Sequence, residues 1–203
     1  MARKKIDKTD AILQAALKVF AEHGFNGAQI SKIAKEAGVA DGTIYLYFQN
    51  KEDILTTVYR TTLTGFTQLL TDRLKETLNA DAAIHAICEI LFTFMEENVH
   101  IAYLNIVELR QHPMELRKEI SQYTSPFFRL IEDVLQKGKE EGAFRPNLEV
   151  KHARRLLFGA MDQVISSWLI SGRKYSLTSL IESTTEFFNQ RFKIIHPKQE
   201  GFR

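Results

Sequence analysis

The chain has 203 residues, of which 44% are hydrophobic and 26% are charged, an ordinary composition for a protein of one or two globular domains. No run of 18 apolar residues occurs and the basic N-terminus lacks an apolar stretch, so we expect neither a membrane span nor a signal peptide. The net charge of +2 indicates no particular partner. A single cysteine, Cys88, excludes an intramolecular disulfide and is typical of a cytoplasmic protein.

Apolar residues at helical spacing predict three short helices at the N-terminus. The first carries Ile12 and ends near Gly24, the second covers about 30–37 and ends at Gly38, and the third begins near Asp41. Two short helices joined by a tight turn form a helix-turn-helix layout, which presents its second helix to DNA base edges. The alternative is a three-helix subdomain that only caps a larger bundle.

The next part of the chain continues the helical spacing. Asn50 with Asp53 three residues later signals the start of a long helix, which can reach Leu78. Asp81 is the predicted cap of the helix after it. Pro126 lies within an apolar stripe and should kink or divide its helix.

The C-terminal part completes an all-α fold of about nine helices. Gly138, Gly142 and Pro146 indicate a loop, and helices are expected at 150–171 and at about 177–195. No segment alternates between apolar and polar residues as a strand would.

One long stretch resembles a known family. Residues 31–55 read SKIAKEAGVADGTIYLYFQNKEDIL, which is similar to the signature of the TetR family of bacterial repressors. The resemblance implies a helix-turn-helix DNA-binding domain at 1–52 and a helical effector-binding and dimerisation domain at 53–203. It also implies a homodimer that binds double-stranded operator DNA, with no catalytic activity.

The family pattern, carried over position by position, implies particular DNA contacts. Phosphate contacts are expected from Gln29, Ser31, Tyr47 and Lys51, and base contacts from Lys32, Ala40, Asp41, Gly42 and Thr43. This sequence departs from the pattern twice. Gln29 replaces the usual threonine and predicts a weaker helix cap, and Asp41 cannot bind phosphate. Asp41 either accepts a hydrogen bond from a cytosine amine or caps the recognition helix. The basic arm of Arg3, Lys4, Lys5 and Lys8 is either a DNA-seeking tail or a solvated terminus.

The last two predicted helices carry apolar residues on more than one face. Such helices are buried twice, once within the domain and once against a partner, which predicts a four-helix dimer interface. Its expected members are Leu157, Val164, Leu180, Thr184, Phe187 and Phe188. The alternative is that both faces pack within one monomer.

Short motifs at 39–48, 108–111, 115–118 and 174–177 give a closer resemblance, to the Bacillus-type fatty-acid-degradation repressors. It implies long-chain acyl-CoA as the effector, which releases the dimer from a palindromic operator, and no cofactor. The acyl tail is expected to contact Phe92, Tyr123, Phe127, Phe158, Met161 and Trp168, and the head group Arg110, Arg117 and Arg129. Another hydrophobic effector, a drug or a free fatty acid, is the alternative.

Two other functional classes are less well supported. The pairs Glu97/His100 and Glu149/His152 have the spacing of a di-iron carboxylate bundle, but both lie at predicted helix ends, so no metal site is expected. A bundle that only binds other proteins is the remaining alternative, and operator binding distinguishes it from a regulator.

Overall fold

The computed structural model describes residues 8–193, and within them it contains nine α-helices and no strand. The helices are α1 Lys8–Gly27, α2 Ile30–Ala37, α3 Asp41–Ile44, α4 Lys51–Lys75, α5 Ala80–Glu97, α6 Val99–Tyr103, α7 Met114–Glu140, α8 Val150–Ile170 and α9 Ile181–Phe192. A π-helical turn, Leu104–Glu108, and a 3₁₀ turn, Leu109–Gln111, follow α6, and a 3₁₀ turn, Thr178–Leu180, precedes α9. The all-α prediction is confirmed. Arg3, Lys4 and Lys5 of the basic arm, and the predicted helix end beyond Lys193, lie outside the described residues.

The chain forms two compact units. The first consists of the described residues up to Gln68 together with Phe94–Pro126, and the second of Leu69–Thr93 together with the described residues from Phe127 onward. Since α4, α5 and α7 each contribute residues to both units, the division by packing differs from the division predicted from the sequence. The functional division at 52/53 stays a prediction.

Helix ends in the first unit follow local sequence signals. Gly38 adopts the left-handed conformation (φ 67°, ψ 33°) after α2, which places α3 beyond a tight turn. At the start of α4 the Asp53 N–H donates to Asn50 Oδ1 at 2.8 Å, and the Asp53 carboxylate accepts from the Gln49 N–H at 2.9 Å. The predicted start of α4 at Asn50 is confirmed.

Two predictions about helix ends in the second unit are wrong. Asn79, not Asp81, caps α5, because its side-chain oxygen accepts the Ala82 N–H at 2.8 Å. Gly138 belongs to α7 and not to a loop. A side chain there would overlap with the ring of Phe144. Glycine is therefore required at this position by close packing and not by the conformation of a turn.

Pro126 does not divide α7, which is assigned as helical from Met114 to Glu140. A proline in a helix interior costs about 3 kcal/mol because it removes a backbone donor and crowds the preceding turn. Buried Ile120 precedes it and buried Phe127 and Ile131 follow it. Burial of such side chains is worth about 1.5–3 kcal/mol each, enough to offset the proline.

Candidate DNA-binding surface and effector-binding residues

Buried side chains fix the helix-turn-helix motif and leave its other face to solvent. Ile33 and Ala34 of α2, with Ile44 and Phe48 around α3, are at most 5% exposed. Seven of the predicted DNA-contacting residues are exposed, and Thr43 and Lys51 are partly buried. The exposed residues are Gln29, Ser31, Lys32, Ala40, Asp41, Gly42 and Tyr47. Apart from the neighbouring residues and the backbone of its own helix, no atom lies within 4 Å of the position of a Cβ on Gly42, so the backbone there is open to close approach.

The starts of the two helices settle both capping questions. No side chain caps α2 at Gln29, so the weaker cap predicted for this residue is confirmed. The interpretation of Asp41 as a helix cap is wrong, because Ala40 holds the cap position of α3 and no side-chain cap bond forms. Asp41 lies in the first turn, where its negative charge interacts favourably with the positive end of the helix dipole.

Lys51 has a structural role that the sequence did not indicate. Its Nζ donates to the backbone oxygens of Phe25 (2.7 Å) and Ala28 (3.1 Å) and lies 4.4 Å from the centre of the Phe25 ring. An ammonium group has three N–H donors, so at most one is available to a phosphate. We call residues 24–29, from the kink of α1 at Gly24 to the start of α2, the α1–α2 turn. Lys51 therefore holds this turn against the start of α4.

Two exposed residues in the segment that follows α3 were not among the predicted DNA contacts. Tyr45 is 59% exposed and Leu46 is 81% exposed. They lie between buried Ile44 and buried Phe48, so their side chains point away from the core. They extend the surface formed by the predicted DNA contacts.

A buried polar cluster in the first unit was also missed. Glu108 is 7% exposed and its Oε2 accepts the backbone N–H of Phe25 at 2.9 Å. Burial, with the charge of Glu108, raises the pKa of Tyr59, whose hydroxyl donates to the Leu104 oxygen at 2.9 Å. Burial lowers the pKa of His112, although the charge of Glu108 opposes the shift. His112 is four residues from Glu108, but Tyr59 and Phe25 lie 49 and 83 residues away along the chain, so no local pattern reveals the whole cluster.

Some of the predicted tail-contacting residues come together in the second unit. Phe127 and Phe158 have ring centres 5.9 Å apart, and Phe128, which was not predicted, lies 4.9 Å from Phe158. The others in this unit, Phe92, Met161 and Trp168, are at most 2% exposed. The Trp168 indole N–H donates to the Tyr175 oxygen at 2.9 Å, which fixes the ring.

The cations predicted for a head group are all exposed. Arg129 belongs to the second unit, whereas Arg110 and Arg117 belong to the first, as does half-buried Tyr123. The Arg110 guanidinium donates to the Ile106 oxygen within its own helical segment.

The predicted dimer residues differ in accessibility. Leu157 (0% exposed) and Phe188 (5% exposed) are buried within the chain, so their side chains are not available at the surface. Val164, Leu180 and Thr184 are half-buried, and Phe187 is 53% exposed. Exposed Leu156 and Ile170 of α8 add apolar surface that the sequence analysis did not include.

The described residues provide no metal-binding cluster and no membrane span. No three His, Cys, Asp or Glu side chains among residues 8–193 are placed to hold a metal ion. Glu97 ends α5 and Glu149 is the cap residue of α8, so both Glu-x-x-His pairs lie at helix ends. None of the helices from α1 to α9 is long and apolar enough to cross a bilayer.

An exposed helix-turn-helix motif followed by longer helices defines a DNA-binding transcription regulator. Residues 12–58 match the family model for bacterial regulatory proteins of the tetR family, and residues 59–190 match the model for the YsiA-like protein C-terminal region. The chain belongs to the TetR family. Members of this family bind operator DNA and dimerise, and the prediction of a regulator instead of an enzyme is confirmed.

Three similar proteins cover nearly the whole chain. The fatty acid metabolism regulator protein of Bacillus subtilis (strain 168) is 35% identical over 184 residues, 91% of this chain and 95% of that protein. The fatty acid degradation regulator FadR from Bacillus halodurans superposes with a TM-score of 0.88 at 36% identity, covering 92% of this chain and 97% of that one. FadR from Bacillus subtilis, solved in complex with stearoyl-CoA, gives a TM-score of 0.85 at 34% identity, covering 92% and 98%. The predicted resemblance to the Bacillus-type repressors is confirmed.

Proposed function

We propose that this protein represses fatty-acid degradation genes in the cytoplasm and leaves its palindromic operator when it binds long-chain acyl-CoA. The observation that carries the proposal is the similarity to the regulator solved with stearoyl-CoA, which extends over 92% of this chain. Residues 1–52 bind DNA in this proposal, and residues 53–203 bind the effector and dimerise.

The exposed residues around α3 form the DNA-reading surface in the proposal. A two-fold dimer places two recognition helices about 34 Å apart, one turn of B-DNA. Tyr47 contacts phosphate, so Tyr47→Ala should weaken operator binding about tenfold, which is 1.4 kcal/mol. Tyr175→Ala, which removes an exposed tyrosine outside the motif, is the matched control. Equal operator affinity of the two variants, measured by fluorescence anisotropy, contradicts this placement of the recognition helix.

The acyl tail occupies the aromatic region of the second unit, among Phe92, Phe127, Phe158, Met161 and Trp168. Each buried CH₂ group contributes about 0.8 kcal/mol, so affinity should rise with chain length until the available space is filled. Met161→Trp should shift the preference to shorter chains, because a larger side chain takes up space at this fully buried position. Met114→Trp, at an exposed residue, should leave the preference unchanged. The same preferred length for both variants would place the tail elsewhere.

Arginine side chains bind the CoA phosphates, since a guanidinium pairs with phosphate through two parallel hydrogen bonds. Arg110, Arg117 and Arg129 are the candidates, and the half-buried Tyr123 is a further candidate for the tail. Each arginine is tested as an Arg→Gln variant, which should weaken binding of acyl-CoA but not of the free fatty acid. Arg155→Gln, at another exposed arginine, is the control. An arginine whose loss changes neither affinity does not contact the head group.

The dimer forms through α8 and α9, with Val164, Leu180, Thr184 and Phe187 at the surface and Leu157 and Phe188 beneath. A charge at Phe187 should separate the protomers, because desolvating an unpaired carboxylate is costly. We therefore expect Phe187→Asp to sediment as a monomer and to lose operator affinity. Leu78→Asp, at a residue that is 95% exposed, should remain a dimer. A dimeric Phe187→Asp variant rules out this interface.

Isothermal titration calorimetry tests the effector directly. We expect stearoyl-CoA to bind the purified protein more tightly than either free stearate or CoA alone. Free stearate binding as tightly as the thioester would favour a free fatty acid as the effector. No binding of stearoyl-CoA would remove the proposed effector but leave the DNA-binding regulator.

A further inference from the structure

The carboxylate of Glu108 binds the turn that leads into the helix-turn-helix motif. Its Oε2 accepts the Phe25 N–H at 2.9 Å, and Phe25 directly follows Gly24, where the backbone of α1 is kinked and not helical. At 7% exposure this carboxylate is nearly removed from water. Burying a charged group costs several kcal/mol, so a buried carboxylate does not by itself stabilise the fold. Its presence therefore points to a role other than stability.

Phe25 is held from three sides by parts of the first unit. Glu108 accepts from its N–H, Lys51 donates to its carbonyl oxygen at 2.7 Å, and the His112 ring lies edge-on at 5.0 Å. The two hydrogen bonds and the ring contact join the turn to the start of α4 and to the segment after α6. The position of this one residue therefore depends on α4 and on the segment after α6 at once.

The conformation of the turn leaves little freedom. Gly24 has φ 68° and ψ 160°, a region of backbone space that is essentially restricted to glycine. A Cβ at this position would lie 3.4 Å from Glu108 Oε1, at the short end of ordinary van der Waals contact. The carboxylate thus covers the turn closely as well as accepting its hydrogen bond.

The segment that carries Glu108 is itself irregular. Residues Leu104–Glu108 form a π-helical turn, a feature that often marks functional positions. The Tyr59 hydroxyl of α4 donates to the Leu104 oxygen at the start of the turn. Arg110, a head-group candidate, follows Glu108 by two residues.

We infer that Glu108 is a positioning residue: its hydrogen bond to Phe25 sets the α1–α2 turn, and movement of the segment Val99–Gln111 reaches the DNA-binding motif through this bond. The link from that movement to acyl-CoA rests on the proposed function. The positioning of the turn by Glu108 is independent of the proposed function, because all of the contacts involved lie within the first unit.

Three variants separate hydrogen bonding from packing and charge. Glu108→Leu keeps a buried side chain of similar size but has no acceptor for the Phe25 N–H. Glu108→Gln loses the charge but keeps an oxygen that can accept this bond. Glu115→Gln is the matched control, because Glu115 also precedes Leu-Arg in the sequence and is exposed.

The first measurements require no effector. Hydrogen exchange of the Phe25 amide should become at least about tenfold faster in Glu108→Leu, and operator affinity should change at least about fivefold. Glu108→Gln should restore both values to within about threefold of the wild type, and Glu115→Gln should match the wild type. Thermal unfolding checks that Glu108→Leu is folded, since losing the acceptor leaves the buried Phe25 N–H unpaired and lowers the stability. A folded Glu108→Leu protein with wild-type exchange and wild-type operator affinity overturns the inference.

The second measurement adds stearoyl-CoA. In Glu108→Leu, binding of the acyl-CoA should stay within about threefold of wild type, while the ratio of operator Kd with and without it falls toward one. An unchanged ratio overturns the role of Glu108 in transmission. If wild-type protein does not bind stearoyl-CoA, the proposed function fails, and the effector-free measurements still decide whether Glu108 positions the turn.

Discussion

Replacing Gly24 with alanine perturbs the turn on which the DNA-binding motif depends. Its φ of 68° and ψ of 160° are disallowed for residues with a Cβ, and holding such a conformation costs about 1–3 kcal/mol. Alanine also restricts the unfolded chain, which returns about 0.4–1 kcal/mol. We therefore expect Gly24→Ala to lower the free energy of unfolding by about 1–2 kcal/mol.

Gly27→Ala is the control, because Gly27 lies three residues away and a Cβ there would meet only the His23 Cβ, at an ordinary 3.8 Å. This variant should be neutral or more stable by up to about 1 kcal/mol. The assay is urea unfolding followed by far-UV circular dichroism, at one protein concentration because a dimer's midpoint depends on concentration. If Gly24→Ala is as stable as Gly27→Ala, Gly24 does not hold a conformation restricted to glycine, and Glu108 does not cover a strained turn.

Three further predictions concern the interiors of the two units. Gly138→Ala should lower the free energy of unfolding by about 1–3 kcal/mol, because the added methyl group overlaps with the buried Phe144 ring. Gly65→Ala, which has open space around it, should raise that free energy by up to about 1 kcal/mol. Equal stabilities of the two variants in urea unfolding would contradict this packing. Burial raises the pKa of the Cys88 thiol to about 11, so it should react with a thiol reagent at pH 8 only after unfolding, and rapid labelling of the folded protein would refute its burial. Burial lowers the pKa of His112 below its usual 6.5, so the unfolded chain binds the proton more readily and the free energy of unfolding should fall as the pH drops below about 6.5. That decrease should be smaller in His112→Gln, and an identical pH dependence would show that His112 does not titrate in this way.

Local signals predicted the elements that depend on neighbouring residues. The Asn50 and Asp53 pair marked the start of α4, and Gly38 marked the end of α2, because each acts within one helical turn. The same logic failed at Asp81, since Asn79 two residues earlier makes the cap bond. Two capping residues close together cannot be ranked by spacing alone.

Residues whose roles come from distant contacts were not predictable. Gly138 suggested a loop, but a glycine is needed there because the ring of Phe144 packs against α7 and leaves no room for a side chain. Glu108 entered the sequence-based prediction only as part of the 108–111 motif, whereas its acceptor role depends on Phe25, 83 positions earlier. The family signature predicted DNA-contacting residues of which most are exposed, but it did not indicate that Lys51 donates to the backbone of the α1–α2 turn.

Release of operator DNA by acyl-CoA tests the central claim most directly. The operator, selected with the protein from a random-sequence library, is labelled and followed by fluorescence anisotropy at fixed salt, because phosphate contacts make the affinity depend on salt. Saturating stearoyl-CoA should raise the operator Kd by about 5–150-fold, the range that coupling energies of 1–3 kcal/mol produce. Free stearate and CoA should leave the operator bound. An operator Kd that is the same with and without saturating stearoyl-CoA would contradict the assignment of this protein as an acyl-CoA-responsive repressor.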